Sequence, residues 1–406
     1  MTRKVWTQAG GLWAAQLVQK ASILMFSFLV GRTHGSEGVG VMASVLALAW
    51  MVGTVAGMGL PDRSVFRGAE QARDRANRRL YGSFLCTVVV AHAPMVWMAD
   101  WMGGIDHGEL SGFARGLVVG AGAHCASAVG LGWLRGAGRP GAEIASMMAS
   151  AIVLVALPLA GVGLGWAWAV SGVCMLVGAA IGNRIDGLLP ATPALPGAVV
   201  REGVPFLMYG LGAWWIGNVD VVLARAAHHP DDVGALQVGT MAVRGLALIP
   251  WVAATLMLRP LAEGWDRAIP PKPARWVVRS SGVGLLVAAL AWVVMPFLAM
   301  GHHVPVESIE RTTWASMVIA PTMYAFVFLV PVAAHWHLGR TLKALSIGAM
   351  TSIAVGAASL DVIDPASKVV AAGAGQLVAI LWLLSVFRRP RAKGLEVDRR
   401  AVTPAV

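Results

Sequence analysis

The stretch Asn218-Val-Asp-Val-Val-Leu-Ala-Arg-Ala-Ala-His-His-Pro-Asp-Asp-Val-Gly234 lies inside a long apolar region that runs from Pro205 to Pro260. An apolar segment comes before its polar turn, His228–Asp232, and a second apolar segment follows it and ends at Leu258. Two apolar segments of membrane-spanning length on either side of a short polar turn are typical of a transmembrane helical hairpin. The stretch therefore predicts an all-helical membrane protein.

Two charged residues, Asp220 and Arg244, lie well inside the apolar segments of this hairpin. Ionisable side chains are costly in hydrocarbon, so they are candidates for function wherever they occur within a span. The alternative is a structural ion pair, in which each residue only neutralises the other.

A second hairpin of the same design lies near the N-terminus. The segment Arg32-Thr-His-Gly-Ser-Glu-Gly-Val-Gly40 separates two apolar runs, as Arg225–Gly234 does. Both segments begin with arginine, continue with an acidic residue and end with Val-Gly, and one gap aligns them. In that alignment Ser27 falls opposite Asp220 and Trp50 falls opposite Arg244, so the scaffold repeats but the charges do not.

The composition places the whole chain in the same class. Of its 406 residues, 57% are hydrophobic and only 13% are charged, and the mean hydropathy is +0.68. A soluble domain carries roughly 25% charged residues. We therefore predict a multi-pass protein with about twelve spans, at Gly10–Gly31, Val39–Gly59, Tyr81–Met102, Gly112–Leu134, Ile144–Val162, Leu164–Ile181, Phe206–Ala226, Val233–Leu258, Val277–Ala299, Thr313–Ala334, Ala344–Leu360 and Val369–Phe387.

The net charge of +11 would fit a nucleic-acid-binding protein, but its distribution excludes that class. Most of the basic residues fall in alternate connections, with the largest groups at Arg63–Arg79 and Arg388–Arg400. By the positive-inside rule both termini are cytoplasmic. The first apolar run has no cleavage site and is of spanning length, so it reads as a retained helix. Asp62–Leu80 reads equally well as an interfacial amphipathic helix and as a loop that sets topology.

The longest central break in hydropathy, between Gly187 and Val204, divides the spans into two sets of six. The predicted organisation is a six-helix bundle over 1–186, a cytoplasmic linker over 187–204, a second bundle over 205–387, and a basic cytoplasmic tail over 388–406. Because six is even, both bundles enter the membrane from the same side, and the repeat is parallel about an axis along the membrane normal.

Polar side chains share faces on the predicted helices and are candidates for a central cavity. On the first helix Gln16, Gln19, Lys20 and Ser27 lie on one face, although Lys20 could instead extend to the cytoplasmic interface. On the hairpin, Tyr209 and Gly217 share a face with Asp220, and three further residues share the face of Arg244: Gln237, Thr240 and Thr255.

The remaining sequence patterns do not indicate a metal site or a catalytic site. Cys86, Cys125 and Cys174 are scattered in predicted spans and indicate neither disulfides nor a metal site. Asp106, His107 and Glu109 lie in a Gly-rich turn without further ligands. The sequence contains no nucleotide-binding motif and no catalytic Ser/His/Asp or Cys/His cluster. We predict a protein that is not an enzyme and needs no cofactor.

The two hairpins resemble those of the Wzx-type polysaccharide flippases in the multidrug/oligosaccharidyl-lipid/polysaccharide (MOP) flippase superfamily. The resemblance lies in Arg32–Gly40, Gly57–Leu60 and Arg67 of the first half, and in Gly203–Pro205, Asn218–Leu223, Asp232–Gly234 and Leu258–Pro260 of the second. It implies a carrier in the bacterial inner membrane, with twelve helices in two bundles around a central cavity. The carrier would flip an undecaprenyl-diphosphate-linked oligosaccharide to the outer leaflet for surface polysaccharide such as O-antigen or exopolysaccharide.

Such a substrate needs cationic groups in a protected cavity to offset the desolvation of its diphosphate, and Lys20 and Arg244 are the candidates. The resemblance also leaves room for a coupling ion, H+ or Na+, and for association with polysaccharide biosynthesis enzymes. Two alternatives stay open. A cation-coupled multidrug exporter would use acidic residues, of which only Asp220 lies convincingly within a span. A polymerase or glycosyltransferase would need catalytic carboxylates on a sizeable outward loop, and the sequence offers only the short loops with Asp106, Glu109, Glu307 and Glu310.

Overall fold

Helices are the only regular elements in the part of the chain that the computed structural model describes, namely residues 3–57, 87–104, 108–136, 139–183, 197–247, 249–251, 253–254, 273–359 and 364–387. They are α1 Arg3–Ala56, α2 Thr87–Trp97, α3 Ala99–Gly103, α4 Glu109–Gly136, α5 Pro140–Leu159, α6 Leu164–Gly182, α7 Gly197–Ala227, α8 Pro230–Leu246, α9 Pro273–His302, α10 Val306–Ala358 and α11 Ala366–Phe387.

Ten helical segments among the described residues are long and apolar enough to cross a membrane. One of them, Gly10–Ala56, contains two of the predicted spans, and α2 is a shorter apolar helix at the position of the third. The described part of each of the twelve predicted spans thus corresponds to helix, and the predicted all-helical, multi-span class is confirmed.

Two predicted connections are shorter than expected. Within Arg32–Gly40 only Gly35 is non-helical, with φ 66° and ψ −162°, a left-handed conformation that glycine adopts at little cost. In α10 only His337 is non-helical, between segments predicted as separate spans. The helices therefore meet at kinks in these places, where the sequence predicted loops.

The predicted central hairpin is formed by α7 and α8, and local chemistry explains where α8 begins. Pro230 occupies the first turn, where its missing N–H is not needed. Asp231 and Asp232 lie in the same turn and Arg244 lies in the last one, which complements the helix dipole at both ends. α7 begins at Gly197, within the segment predicted as a linker.

α1 connects the two halves. It packs against α4 and α5 of the first half and against α7, α8 and α9 of the second. One apolar core cluster accordingly contains Phe26 and Trp168 of the first half together with Val238 and Leu298 of the second. The second half has a core of its own around Ile216, Phe326 and Leu345, among other residues.

The repeat-related glycines of the two hairpins make reciprocal contacts. A Cβ atom on Gly40 would overlap the carbonyl oxygen of Pro230, and one on Gly234 would overlap the carbonyl oxygen of Ser36. These four residues are two aligned pairs, so each hairpin presents the same surface to the other. Such an exchange is the geometry of a local two-fold relation between the halves.

Several predictions fall outside the described residues. They concern the basic segment Asp62–Leu80, Cys86, the pair Asp106 and His107, Thr255, and the tail over 388–406.

Candidate functional site

A cavity of about 520 Å³ lies between the two halves. The second half supplies most of its wall, through α7, α8, α10 and α11, and the first half contributes α1 and α4. Its lining residues are Trp50, Gly53, Thr54, Cys125, Ala128, Tyr209, Gly210, Ala213, Gly217, Asn218, Arg244, Ala247, Trp251, Met323, Phe326, Val327, Val330, Pro331 and Gln376.

The cavity lies away from the hairpin turns. At a rise of 1.5 Å per residue, Trp50 is about 22 Å along α1 from Gly35, and Arg244 is about 21 Å along α8 from Pro230. The end of the molecule that carries the two turns is therefore separated from the cavity by several helical turns of packed side chains.

Arg244 is the one charged residue in the described lining of the cavity. It donates from its Nη2 nitrogen to Oδ2 of Asp220, in an ion pair. The Asp220 side chain is completely buried, whereas 22% of the Arg244 side chain is exposed. The carboxylate thus lies behind the guanidinium, which presents its remaining face to the cavity.

This arrangement orients the guanidinium without using all of its donors. Arginine has five N–H groups in a planar fork, which suits two-point binding of phosphate or carboxylate. The other oxygen of Asp220, Oδ1, is buried without a hydrogen-bond partner among the described residues. Losing Arg244 would leave this carboxylate uncompensated, which costs about 3–5 kcal/mol in a buried pair.

Neutral polar groups line the cavity beside Arg244. Tyr209 and Asn218 lie on α7, and Asn218 Nδ2 donates to the Trp214 carbonyl at 2.9 Å. Gln376 on α11 is only 2% exposed, and its Oε1 atom has no hydrogen-bond partner among the described residues. Protein atoms cover this oxygen almost completely in the described conformation.

Of the residues predicted from the sequence, Arg244 and Tyr209 line the cavity, and Asp220 lies directly behind Arg244. The others lie elsewhere. Lys20 is exposed on α1, Gln16 is buried, Gln237 is half-buried, and Thr240 is buried and donates to the Gln237 carbonyl. None of these four lines the cavity.

Sequence analysis missed Gln376, Asn218 and Trp50 as cavity residues. Asn218 stands in the stretch that predicted the hairpin, and Gln376 is the one side-chain amide in α11. Neither signal shows which face of the helix is covered, because that depends on the neighbouring helices.

Contacts between the halves close the hairpin end. Arg225, at the end of α7, donates to the carbonyl oxygens of Trp101 at 3.2 Å and Met102 at 3.4 Å, in the last turn of α3. A Cβ atom on Gly104 would overlap the same guanidinium, and Gly104 has a φ of +70°. Glycine is thus needed at position 104 both for its backbone conformation and for the approach of Arg225.

Two more polar contacts cross between the halves at this end. Ser36 Oγ donates to Asp231 Oδ1 at 2.6 Å, and Ser27 Oγ lies 2.5 Å from His302 Nε2. The His302 ring is held from its other nitrogen, which lies 2.8 Å from the Leu298 carbonyl. Ser27, the residue aligned with Asp220, therefore takes part in closing the hairpin end.

Among the described residues no group of histidine, cysteine, aspartate or glutamate could hold a metal ion. Cys125 is buried in the wall of the cavity, and Cys174 is half-buried. Both are free thiols.

No protein-family model matches the sequence, and no curated protein matches it. Solved structures do match. A multidrug resistance MATE family transporter of the MOP superfamily in an outward-facing conformation aligns with TM-score 0.65 and 14% identity, over 95% of this chain and 94% of that one. An inward-facing conformation of such a transporter aligns with TM-score 0.61 and 14% identity, over 95% and 100%.

A third structure is a MOP superfamily transporter from Pyrococcus furiosus, described as having a binding pocket of reverse polarity. It aligns with TM-score 0.55 and 16% identity, over 96% of this chain and 100% of that one. All three alignments cover nearly the whole length of both chains. This chain therefore has the fold of the MATE transporters of the MOP superfamily.

Proposed function

We propose that this protein is a carrier that flips an undecaprenyl-diphosphate-linked oligosaccharide from the inner to the outer leaflet of a bacterial inner membrane. The observation that carries the proposal is Arg244, the one charged side chain in the described lining of a cavity between the two halves. The resemblance of the hairpins to those of polysaccharide flippases supports the same substrate class.

The charge of the cavity favours an anionic headgroup. A diphosphate loses its hydration on leaving water and needs charge-assisted hydrogen bonds in return. Arg244 can supply them, because Asp220 lies behind it and not beside it in the cavity. Since Asp220 reduces the net positive charge, the substrate has to be held by directed hydrogen bonds more than by long-range attraction.

The neutral polar and apolar residues of the lining suit the sugars and the lipid-proximal part of such a substrate. Amide and hydroxyl groups can bond to sugar hydroxyls, and the many apolar lining residues tolerate the lipid-proximal part of the headgroup. A carrier for organic cations would need an accessible acid instead. The described lining contains none, since the Asp220 side chain is fully buried and paired with Arg244.

Transport in this proposal proceeds by alternating access. The polar contacts at the hairpin end hold the halves together there, which supports a state that is closed at that end. The positive-inside rule assigns the opposite end to the cytoplasm. Movement of one half against the other would then expose the cavity to the other side. The proposal also includes a coupling ion, H+ or Na+.

The test is a deletion strain in which the leaflet and the chain length of lipid-linked glycan are measured. We expect fully built lipid-linked oligosaccharide trapped in the inner leaflet, with little surface polymer. Single repeat units at the surface would identify a polymerase instead. Unchanged glycan with raised sensitivity to cationic compounds would identify a drug exporter.

A further inference from the structure

His92, on the short apolar helix α2, has both ring nitrogens next to backbone carbonyl oxygens. Nδ1 lies 2.7 Å from the carbonyl oxygen of Val88, one turn earlier in α2, and Nε2 lies 3.0 Å from that of Ala49 in α1. Only 3% of the residue is exposed. A carbonyl oxygen only accepts hydrogen bonds, so each ring nitrogen needs a hydrogen to make its bond.

The protonation state decides how many of these two bonds form. A neutral imidazole has one N–H group and one lone pair, whereas an imidazolium has two N–H groups. The neutral ring of His92 can donate to one carbonyl while its lone pair faces the other, and the protonated ring donates to both. The hydrogen bonds of the described conformation are therefore complete only with a protonated His92.

Two other buried histidines differ in this respect. His302 has the Leu298 carbonyl at one nitrogen and the hydroxyl of Ser27 at the other. Since a hydroxyl can donate, neutral His302 completes both bonds. His124 has no partner for its Nε2 atom among the described residues, so a proton there would gain no bond.

The His92 ring lies directly behind the wall of the cavity. A Cβ atom on Gly53 would lie 3.4 Å from the ring and would overlap the Cys125 thiol, and one on Gly122 would lie 2.9 Å from the ring. α1 and α4 therefore both pack against it. Gly53 and Cys125 line the cavity, so residues of the wall separate the ring from an occupant of the cavity.

The segments around the ring offer a positive charge no acidic partner. α1 has no titratable residue over 41–56, and α2 has none besides His92. Over 116–134, α4 has two. They are Cys125, which lies near the ring, and His124, which packs against α6.

We propose that His92 binds a coupling proton, and that this proton and the anionic headgroup of the substrate bind together. The inference rests on the proposed function and takes the coupling ion of that carrier to be H+. An anion at Arg244 would supply the negative charge that the segments around the ring do not offer. It acts through the wall and needs no contact with the ring. Histidine exchanges protons near neutral pH, and a transient water contact is enough for this exchange.

The test measures the affinity of the purified full-length protein for farnesyl diphosphate carrying N-acetylglucosamine, a diphosphate diester with constant charge near neutral pH. Coupling is reciprocal, so a proton on His92 must strengthen binding of the probe as much as the probe strengthens binding of the proton. We expect the wild type to bind about fivefold more tightly at about pH 6 than at about pH 8. His92→Gln, which keeps a donor but takes up no proton, should bind equally at both.

A second measurement needs no variant. Calorimetry of probe binding in two buffers with different ionisation enthalpies gives the number of protons exchanged. The wild type should take up part of a proton for each probe bound near neutral pH. No uptake would overturn the proposal, even if His92→Gln does not fold.

His124→Gln is the matched control, because it removes another buried histidine of the first half. It should keep the pH dependence of the wild type. Equal pH dependence in the wild type and in His92→Gln would overturn the proposal, since another group would then carry the proton.

The outcomes also separate this inference from the proposed function. If the probe does not bind the wild type, or binds Arg244→Ala equally well, the proposed function fails and the coupling fails with it. If the probe binds through Arg244 with the same affinity at both pH values, only the role of His92 is overturned.

Discussion

At the scale of single residues, the sequence left two roles open for Asp220 and Arg244, a functional site or a structural ion pair. The structure shows features of both. Arg244 is paired with a buried carboxylate, as a structural ion pair requires, and yet part of its guanidinium faces the cavity. Deleting one partner therefore changes stability and binding together. A single alanine variant does not separate the two effects.

We predict that Arg244→Lys retains part of the transport activity, whereas Arg244→Ala loses it. Lysine keeps the charge but replaces the planar fork with a single ammonium group. The alanine variant should also be less stable by about 3–5 kcal/mol, because Asp220 is left uncompensated. Surface glycan and the amount of protein in the membrane are measured for each variant.

The double variant Asp220→Asn with Arg244→Ala provides the control. Because Asp220→Asn removes the carboxylate, the double variant has no buried charge without a partner. The protein should therefore accumulate in the membrane at near wild-type levels. Glycan export should stay absent, because the described lining of the cavity would no longer contain a cation. Normal export by this double variant would restrict Arg244 to a structural role.

At the scale of helices, the hairpin end is held by side chains that bond to helix termini and turns across the two halves. Arg225 places its charge on carbonyl oxygens in the last turn of α3. The negative end of the helix dipole favours a cation there, by about 0.3–1 kcal/mol at an exposed site. Contacts of this size can be broken and re-formed during a transport cycle.

We predict that Arg225→Ala shifts the protein toward the conformation that is open at the hairpin end. In a variant with Thr54→Cys and the native cysteines replaced by serine, a membrane-impermeant maleimide added from outside should label Cys at position 54 several-fold faster when Arg225 is absent. Thr54 is suitable because it lines the cavity. Fluorescent labelling in intact cells measures the rate.

Arg115→Ala is the matched control for this experiment. Arg115 forms a 3.2 Å ion pair with Asp100, and both residues belong to the first half, so the pair does not hold the halves together. Its loss should leave the labelling rate unchanged. Equal acceleration by both variants would show a general loosening and would contradict the role given to Arg225.

At the scale of the whole molecule, the two halves share a scaffold but not its chemistry. The reciprocal contacts of Gly40 and Gly234 follow the repeat. The cavity does not follow it, because Arg244, Gln376 and the other charged or amide groups of its lining come from the second half. In the proposed alternating access, the two predicted bundles would move as similar bodies while the second supplies most of the binding groups.

The predicted topology can be tested on the complete chain. Reporter fusions after Arg73 and after Lys393 should both indicate the cytoplasm, and a fusion at Asp106 should indicate the outside, because basic residues favour the cytoplasmic side. Alkaline phosphatase and green fluorescent protein fusions give opposite readouts and check each other. An outside signal at Arg73 would overturn the number of spans.

The sequence by itself determined the class of the protein and the positions of its spans. Hydropathy is a property of each segment, and a span must satisfy its own backbone hydrogen bonds in lipid. The hairpin around Asn218–Gly234 and its counterpart at Arg32–Gly40 could therefore be located without knowledge of their neighbours. The kinks at Gly35 and His337 were harder to predict, because helix continued through residues whose polarity is typical of loops.

Only the tertiary structure decided which polar residues share a site. Helical periodicity placed Gln237 and Thr240 on the face of Arg244, yet these residues pack away from the cavity. It could not bring Gln376 to the same cavity from a helix far along the chain. Each helix in a bundle has several covered faces, and the faces that border a cavity depend on how the helices cross and where the two halves separate.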